Sequence, residues 1–316
     1  MRSPRQRRWF VLALTLSALV VIGALQIVPD RSRDELIQWQ DKHSQFASVA
    51  GMQIHYRLEG NPDGPLLVLL HGTAASLHTW DGWVDTLGDD FRLLRLDLPA
   101  FGLTGAHPKH DYSIAAYVEV LEQLVSTLGL GEFALAGNSL GGNIAWRYAL
   151  DYPQRIRALV LLNASGLPSE TPSAPSLVFR LANTPVLNRL LVYMAPRSIY
   201  EKSLLEVYAD DSKVTEALIE RYRDLSLFEG NREAFVARIQ LERIDKSGRL
   251  GEISAPTLIL WGALDAWIPA THAQRFNDAI ADSHVIVYPD LGHLPMEEAP
   301  SRSASDVAAF LAAADR

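Results

Sequence analysis

Residues 133–136 (FALA) are a short apolar run that leads without a linker into Gly137-Asn138-Ser139-Leu140-Gly141-Gly142 and then into helical spacing up to about residue 150. A short apolar run bounded by turn residues reads as a strand buried on both faces, as parallel sheets require. A strand that passes straight into a helix must reverse sharply. Such a turn brings the positions two before and two after its apex together, so both must be very small. Both are glycine, and the residue at the apex is Ser139. A serine hydroxyl is a poor nucleophile unless it is exposed, rigidly held and beside a base, and this turn supplies the first two conditions.

The same alternation organises most of the chain. Strand patterns fall at 52–58, 66–70, 91–96, 133–136 and 156–162, and helical patterns at 114–128 and 140–150. Alternating strands and helices predict an α/β fold, a mostly parallel sheet flanked by helices. The alternation stops between 166 and 251. That stretch holds Pro168, Pro172, Pro175, Pro185 and Pro196, then helical patterns at 213–225 and 232–244, and no strong strand. The sheet resumes at 256–261, its last strand is 284–288, and 297–313 closes the chain as a helix. The expectation is one domain, 48–316, with a helical cap inserted at 166–251. At 48% hydrophobic residues over 316 positions, the chain has ample material for its core.

The N-terminus carries a different signal. Residues 9–28 contain no charge, long enough as a helix to span a bilayer, and Arg2, Arg5, Arg7 and Arg8 precede them. The positive-inside rule puts that basic tail in the cytoplasm and the large domain on the exported, periplasmic or extracellular side. The expected layout is therefore a tail and single-pass membrane anchor (1–30) and a polar, helical spacer (31–47). A cleaved signal peptide is the alternative and would give a secreted protein. It calls for a shorter apolar region and a small-x-small cleavage site, of which Val21 and Gly23 are weak candidates. With no cysteine, disulfides, thiolate chemistry and a lipid-modified cysteine anchor are excluded. A net charge of -8 without a basic stripe argues against nucleic acid as a partner. Nothing indicates a metal or organic cofactor, and the oligomeric state is not legible.

Five stretches now stand together: Leu69-Leu70-His71-Gly72-Thr73, Asp97-Leu98-Pro99-Ala100-Phe101-Gly102, the Ser139 turn, Trp261-Gly262-Ala263-Leu264-Asp265 and Gly292-His293. Each lies at the carboxyl end of an expected strand, where ligand sites form in open parallel sheets. In this order the chain resembles the α/β-hydrolase family, in its serine carboxylesterase and lipase-like branch, from about residue 51 to 311. The resemblance implies Ser139 as nucleophile, Asp265 as supporting acid and His293 as general base. Asp290 is a rival acid but reads as a turn residue. Some family members place the acid one strand earlier, where this chain has Asn163-Ala164-Ser165 and no carboxylate. For the oxyanion hole, the turn geometry offers the Leu140 N–H and the resemblance adds Thr73, with Ala74 as the alternative. His71 takes the family's loop-supporting position. Two departures, Ala100 for a glycine and Thr104 for a serine, touch a loop near the site and no catalytic group.

Serine at the turn argues against dehalogenase or epoxide hydrolase chemistry, which uses aspartate there. C–C hydrolases of ring-fission products usually carry Gly-Pro-Gly after His-Gly, and this chain has Thr73-Ala74-Ala75-Ser76. Hydrolysis of a small-molecule carboxylic ester with a short to medium acyl chain is the expectation. C–C hydrolysis and acyl transfer are alternatives on the same residues, and a catalytically silent ligand sensor or a membrane-tethered interaction module are the non-enzymatic ones. The cap offers Phe179, Leu181, Tyr193, Met194 and Phe228 as pocket candidates, and Trp267 sits two residues past Asp265.

Overall fold

In the computed structural model, which describes residues 27–168, 176–242 and 244–314, eight strands form one sheet. They are β1 (Ser44–Val49), β2 (Met52–Gly60), β3 (Leu66–Leu70), β4 (Arg92–Leu96), β5 (Phe133–Asn138), β6 (Ile156–Leu162), β7 (Thr257–Gly262) and β8 (Ser283–Tyr288). Their order is β1-β2-β4-β3-β5-β6-β7-β8, antiparallel at β1/β2 and β2/β4 and parallel from β4 to β8.

β3 shows why the central strands are apolar without interruption. Val68 and Leu70 pack with Tyr117 and Ile144 on one face, while Leu67 and Leu69 pack with Trp83 and Val307 on the other. Helices Ile114–Thr127, Leu140–Asp151 and Thr271–Ala279 cover the first face, and Asp81–Leu87 and Pro300–Ala314 the second. The single closing helix expected at 297–313 is two, Pro295–Glu298 and Pro300–Ala314, interrupted at Ala299. The ring of Pro300 disfavours helical backbone at the residue before it, and Ala299 takes φ -143°, ψ 64°. Five cap helices fill the insertion among the described residues: Leu177–Asn183, Leu187–Tyr193, Arg197–Val207, Glu216–Ser226 and Asn231–Ile239.

The segment expected as a helical spacer, 31–47, is part of the folded domain. Asp34–Trp39 is a short 3-10 helix that buries Leu36, and β1 begins at Ser44. β1 joins β2 through Ala50 and Gly51, both at positive φ (50° and 80°), as a two-residue hairpin of the primed type needs. The usual Asn-Gly or Asp-Gly signal is absent here, which hid the strand. Upstream, Arg31 pairs with Asp224 of the cap at 2.7 Å and its N–H donates to Leu227 O at 2.6 Å. The expected membrane anchor lies outside the described residues except for its last two, and no described helix is long and apolar enough to cross a membrane.

Candidate active site

Ser139 sits between β5 and helix Leu140–Asp151 with φ 52° and ψ -110°, a backbone that L-residues rarely adopt and that costs on the order of 1–3 kcal/mol. Its neighbours explain how it is held. A Cβ on Gly137 would lie 2.2 Å from Gly141 O, and one on Gly141 would lie 2.1 Å from Leu70 O. Gly142 is equally closed, with Ala164 Cβ 2.6 Å from where its own Cβ would stand. The Ser139 N–H donates to Leu162 O at 3.0 Å, and Ser139 O accepts from the Ser165 N–H at 3.0 Å and its hydroxyl at 3.1 Å.

His293, in the loop after β8, is brought to the same edge of the sheet. Its N–H donates to Val207 O of the cap at 2.7 Å, and its carbonyl accepts from Asn138 Nδ2 at 3.0 Å. Its Nδ1 lies 2.7 Å from Asp265 Oδ2. Against an ionised carboxylate, Nδ1 must carry the proton, which leaves Nε2 as the acceptor in the neutral ring. Nε2 is buried and has no hydrogen-bond partner among the described residues, and His293 lines the same cavity as Ser139.

Asp265 is fixed from several sides. Oδ1 accepts from the N–H groups of Trp267 at 2.8 Å and Ile268 at 3.0 Å, and Oδ2 accepts from Asn163 Nδ2 at 2.6 Å. Burial alone would raise the carboxyl pKa. His293, the Ile268 N–H and the Asn163 amide together outweigh it and hold the group below the usual carboxylate range. Asp290, the rival on sequence, pairs with Arg302 at the surface.

Two residues escaped the sequence reading. Asn163, at φ 45° at the end of β6, holds Asp265 through Nδ2 and accepts from the Gly262 N–H at 3.3 Å. It occupies the strand end where a carboxylate was sought, and a polar side chain there was the available signal. Glu298 accepts from the N–H groups of Gly292 and Ala209, each at 2.8 Å, and so joins the histidine loop to the cap. Burial pushes its carboxyl pKa up. No sequence pattern marked it.

Thr73 and Ala74 line the cavity beside Ser139, with Ala74 at φ 62°. The N–H groups of Thr73 and Leu140 donate to no other described residue. Phe179, Met194 and Trp267 line the cavity, and the Trp267 ring centre is 5.4 Å from that of His293. Leu181, Tyr193 and Phe228 do not line it. Tyr193 is half exposed, and Phe228 packs with Leu36, Leu103 and Leu225. Among the described residues, Arg232 is the one Lys, Arg, Asp or Glu side chain on the wall, and its Nε and Nη1 have no partner among them.

A second buried Asp–His pair lies near the other end of the sheet. His55 Nδ1 is 2.7 Å from Asp97 Oδ2, and His55 Nε2 is 3.0 Å from Ser44 Oγ. Asp97 also accepts from the N–H groups of Leu77 at 2.7 Å and Leu103 at 2.8 Å. His71 is fully engaged as well, with Nδ1 donating to Gly72 O at 2.7 Å and Nε2 accepting from the Leu98 N–H at 2.9 Å. Thr104 fastens this loop, its hydroxyl donating to Asp97 O at 2.7 Å.

Comparison with known proteins gives a consistent picture. The family described as alpha/beta hydrolase fold matches residues 65–300. The 2-hydroxy-6-oxononadienedioate/2-hydroxy-6-oxononatrienedioate hydrolase of Klebsiella pneumoniae is 30% identical over 264 residues, covering 79% of this chain and 89% of its own. The structure of a membrane phospholipase A described as a bacterial virulence factor covers 99% of this chain and 100% of its own, with a TM-score of 0.75 at 24% identity. A thermophilic esterase from Thermogutta terrifontis covers 87% of this chain and 99% of its own, with a TM-score of 0.71 at 26% identity.

Proposed function

The chain belongs to the α/β-hydrolase fold family, and from that premise we propose that it hydrolyses carboxylic esters through an acyl-enzyme on Ser139. The observation that carries this reading is that Ser139 and His293 line one cavity while His293 is bonded to Asp265. Ser139 is held at a strained apex, His293 presents a partnerless Nε2, and Asp265 takes the proton-bearing Nδ1 at 2.7 Å. Ser139 Oγ attacks the carbonyl carbon as its proton passes to His293 Nε2, and Asp265 stabilises the resulting imidazolium. The oxyanion settles against the N–H groups of Leu140 and Thr73. The leaving alcohol takes the proton from His293, and water then releases the acid by the same steps. The mostly apolar wall, with Phe179, Met194 and Trp267, suits an acyl chain.

A second reading has its own support. The Klebsiella relative is named for hydrolysis of a dicarboxylate, and Arg232 is a guanidinium on the cavity wall with two nitrogens that have no partner among the described residues. Hydrolysis of a C–C bond in a carboxylate-bearing diketone would use both. We assign the N-terminal apolar run the role of an uncleaved anchor, with the catalytic domain on the exported side.

Purified full-length protein is offered p-nitrophenyl esters of increasing chain length and, in parallel, a chromogenic ring-fission diketone. Turnover of short to medium esters, abolished in Ser139→Ala, is expected. Turnover of the diketone alone would replace the ester reading with the second one.

A further inference from the structure

The first two cap helices, with the turn between them and the residue after them, present two faces. Inward, Val178, Phe179, Leu191 and Met194 line the cavity over Ser139. Outward, Leu177, Val186, Leu187 and Tyr193 are 39%, 74%, 39% and 53% exposed. Scattered single apolar residues on a surface are ordinary, but a concentration is informative. Two more exposed apolar side chains adjoin this group. Ile27 precedes Val28, whose N–H donates to Tyr193 O at 2.9 Å, and Leu241 follows Gln240, whose side chain donates to Ala182 O at 3.0 Å. Six of the eleven large hydrophobic residues exposed among the described residues therefore gather on this side.

Charge separates this surface from the rest of the protein. The chain carries a net charge of -8, yet residues 176–196 hold Arg180 and Arg189 and no acidic residue. Helices that expose apolar side chains with arginines among them bind at the interface of anionic lipid. The chain outside the described residues also leads here. The apolar run 9–28 ends at the residue bonded to Tyr193. Arg232 of the cavity wall grips the same segment, with Nη2 2.7 Å from Val28 O and 2.6 Å from Asp30 Oδ1. A membrane span ending just before Ile27 would thus bring these cap helices close to the bilayer surface.

We propose that the outer face of helices Leu177–Asn183 and Leu187–Tyr193 docks on an anionic bilayer, and that Ser139 acts on acyl esters of lipids drawn from it. This rests on the ester reading and the anchor assignment above, and narrows the substrate to amphiphilic esters.

The chain has no cysteine, so single-cysteine variants of the full-length protein label at one site. Val186→Cys and, on β8, Val287→Cys would each carry an environment-sensitive dye and be reconstituted into phosphatidylethanolamine/phosphatidylglycerol vesicles containing spin-labelled lipid. Quenching at position 186 several-fold above that at 287 is expected. Equal, weak quenching at both sites would overturn docking, as would a dye at 186 that is shielded yet unquenched, the signature of a second protein copy on this face. In a second arm, Val186→Asp/Leu187→Asp should lose about tenfold or more on a fluorogenic phospholipid ester in vesicles while keeping activity on p-nitrophenyl butyrate within twofold. Unchanged vesicle activity overturns the proposal. Absence of any ester turnover in the parent overturns the ester reading instead, and the quenching arm still decides docking.

Discussion

Two Asp–His pairs, buried alike and both 2.7 Å long, lie in this molecule, and only one belongs to the candidate site. In the pair of His55 and Asp97 the far ring nitrogen is taken by Ser44, so the imidazole is a bracket between β2, the loop after β4 and the start of β1. In the pair of His293 and Asp265 the far nitrogen has no partner among the described residues, on the wall of a cavity that also holds Ser139. An Asp–His pair is a structural device when both nitrogens are satisfied and a proton-transfer device when one is kept open toward a nucleophile. Keeping a buried acceptor unmet costs about 1–3 kcal/mol, which the fold sustains only with firm support around it. That support is visible in the four donors on Asp265 and in the two bonds that hold the backbone of His293.

Substitution at the two histidines should separate the pairs most widely. His293→Ala is expected to lower kcat on a p-nitrophenyl ester by about four to six orders of magnitude with little change in urea midpoint. His55→Ala should do the reverse, destabilising the fold by about 3 kcal/mol while the folded enzyme keeps activity within several-fold. Equal effects on both properties in both variants would erase the distinction. Less extreme is Asn163→Ala, which removes one of the donors on Asp265 Oδ2. It should reduce kcat by about tenfold with KM unchanged, and Asn163→Ser should recover part of the loss; a change in KM alone would show that the residue shapes the cavity rather than the acid.

The smallest effect concerns a third histidine. Burial pushes the His78 imidazole down to about 3, so the folded chain stays unprotonated where the unfolded chain, with a pKa near 6.5, takes up a proton. Stability from this position is therefore complete above about pH 6.5 and declines as pH falls from there toward 3. Between pH 7.5 and pH 5, His78→Gln should lose less of its urea midpoint than the parent does. An equal loss in both would assign the acid sensitivity elsewhere.

The sequence was most legible where covalent geometry leaves no choice. The glycines around Ser139 can be nothing else, because a Cβ at Gly137 or Gly141 would collide with backbone, and strands buried on both faces must be apolar throughout. His293 and Asp265 were found because short motifs at strand ends mark them. What stayed hidden depends on contacts across long stretches of chain. β1 follows a hairpin turn made by Ala50 and Gly51 without the usual turn residues. Asp224 holds Arg31, Gln38 and Trp39 from nearly two hundred residues away, so the segment before the sheet looked like a free spacer. Asn163 and Glu298 act through bonds to residues of other loops, and no local pattern announces such a partner. The cap misled for a related reason: apolar residues on a helix there face the cavity, a side cluster or solvent, and composition alone does not say which.

The central claim is that Ser139 is a nucleophile activated by His293 and not by the other buried pair. The direct measurement is peptide mass mapping after treatment of the full-length protein with a fluorophosphonate, run on the parent, His293→Ala, His55→Ala and Ser139→Ala. The account predicts a single phosphonyl adduct on Ser139 in the parent and in His55→Ala, labelling slowed by orders of magnitude in His293→Ala, and none in Ser139→Ala. A folded parent that remains unlabelled, or an adduct formed as fast without His293, would contradict it.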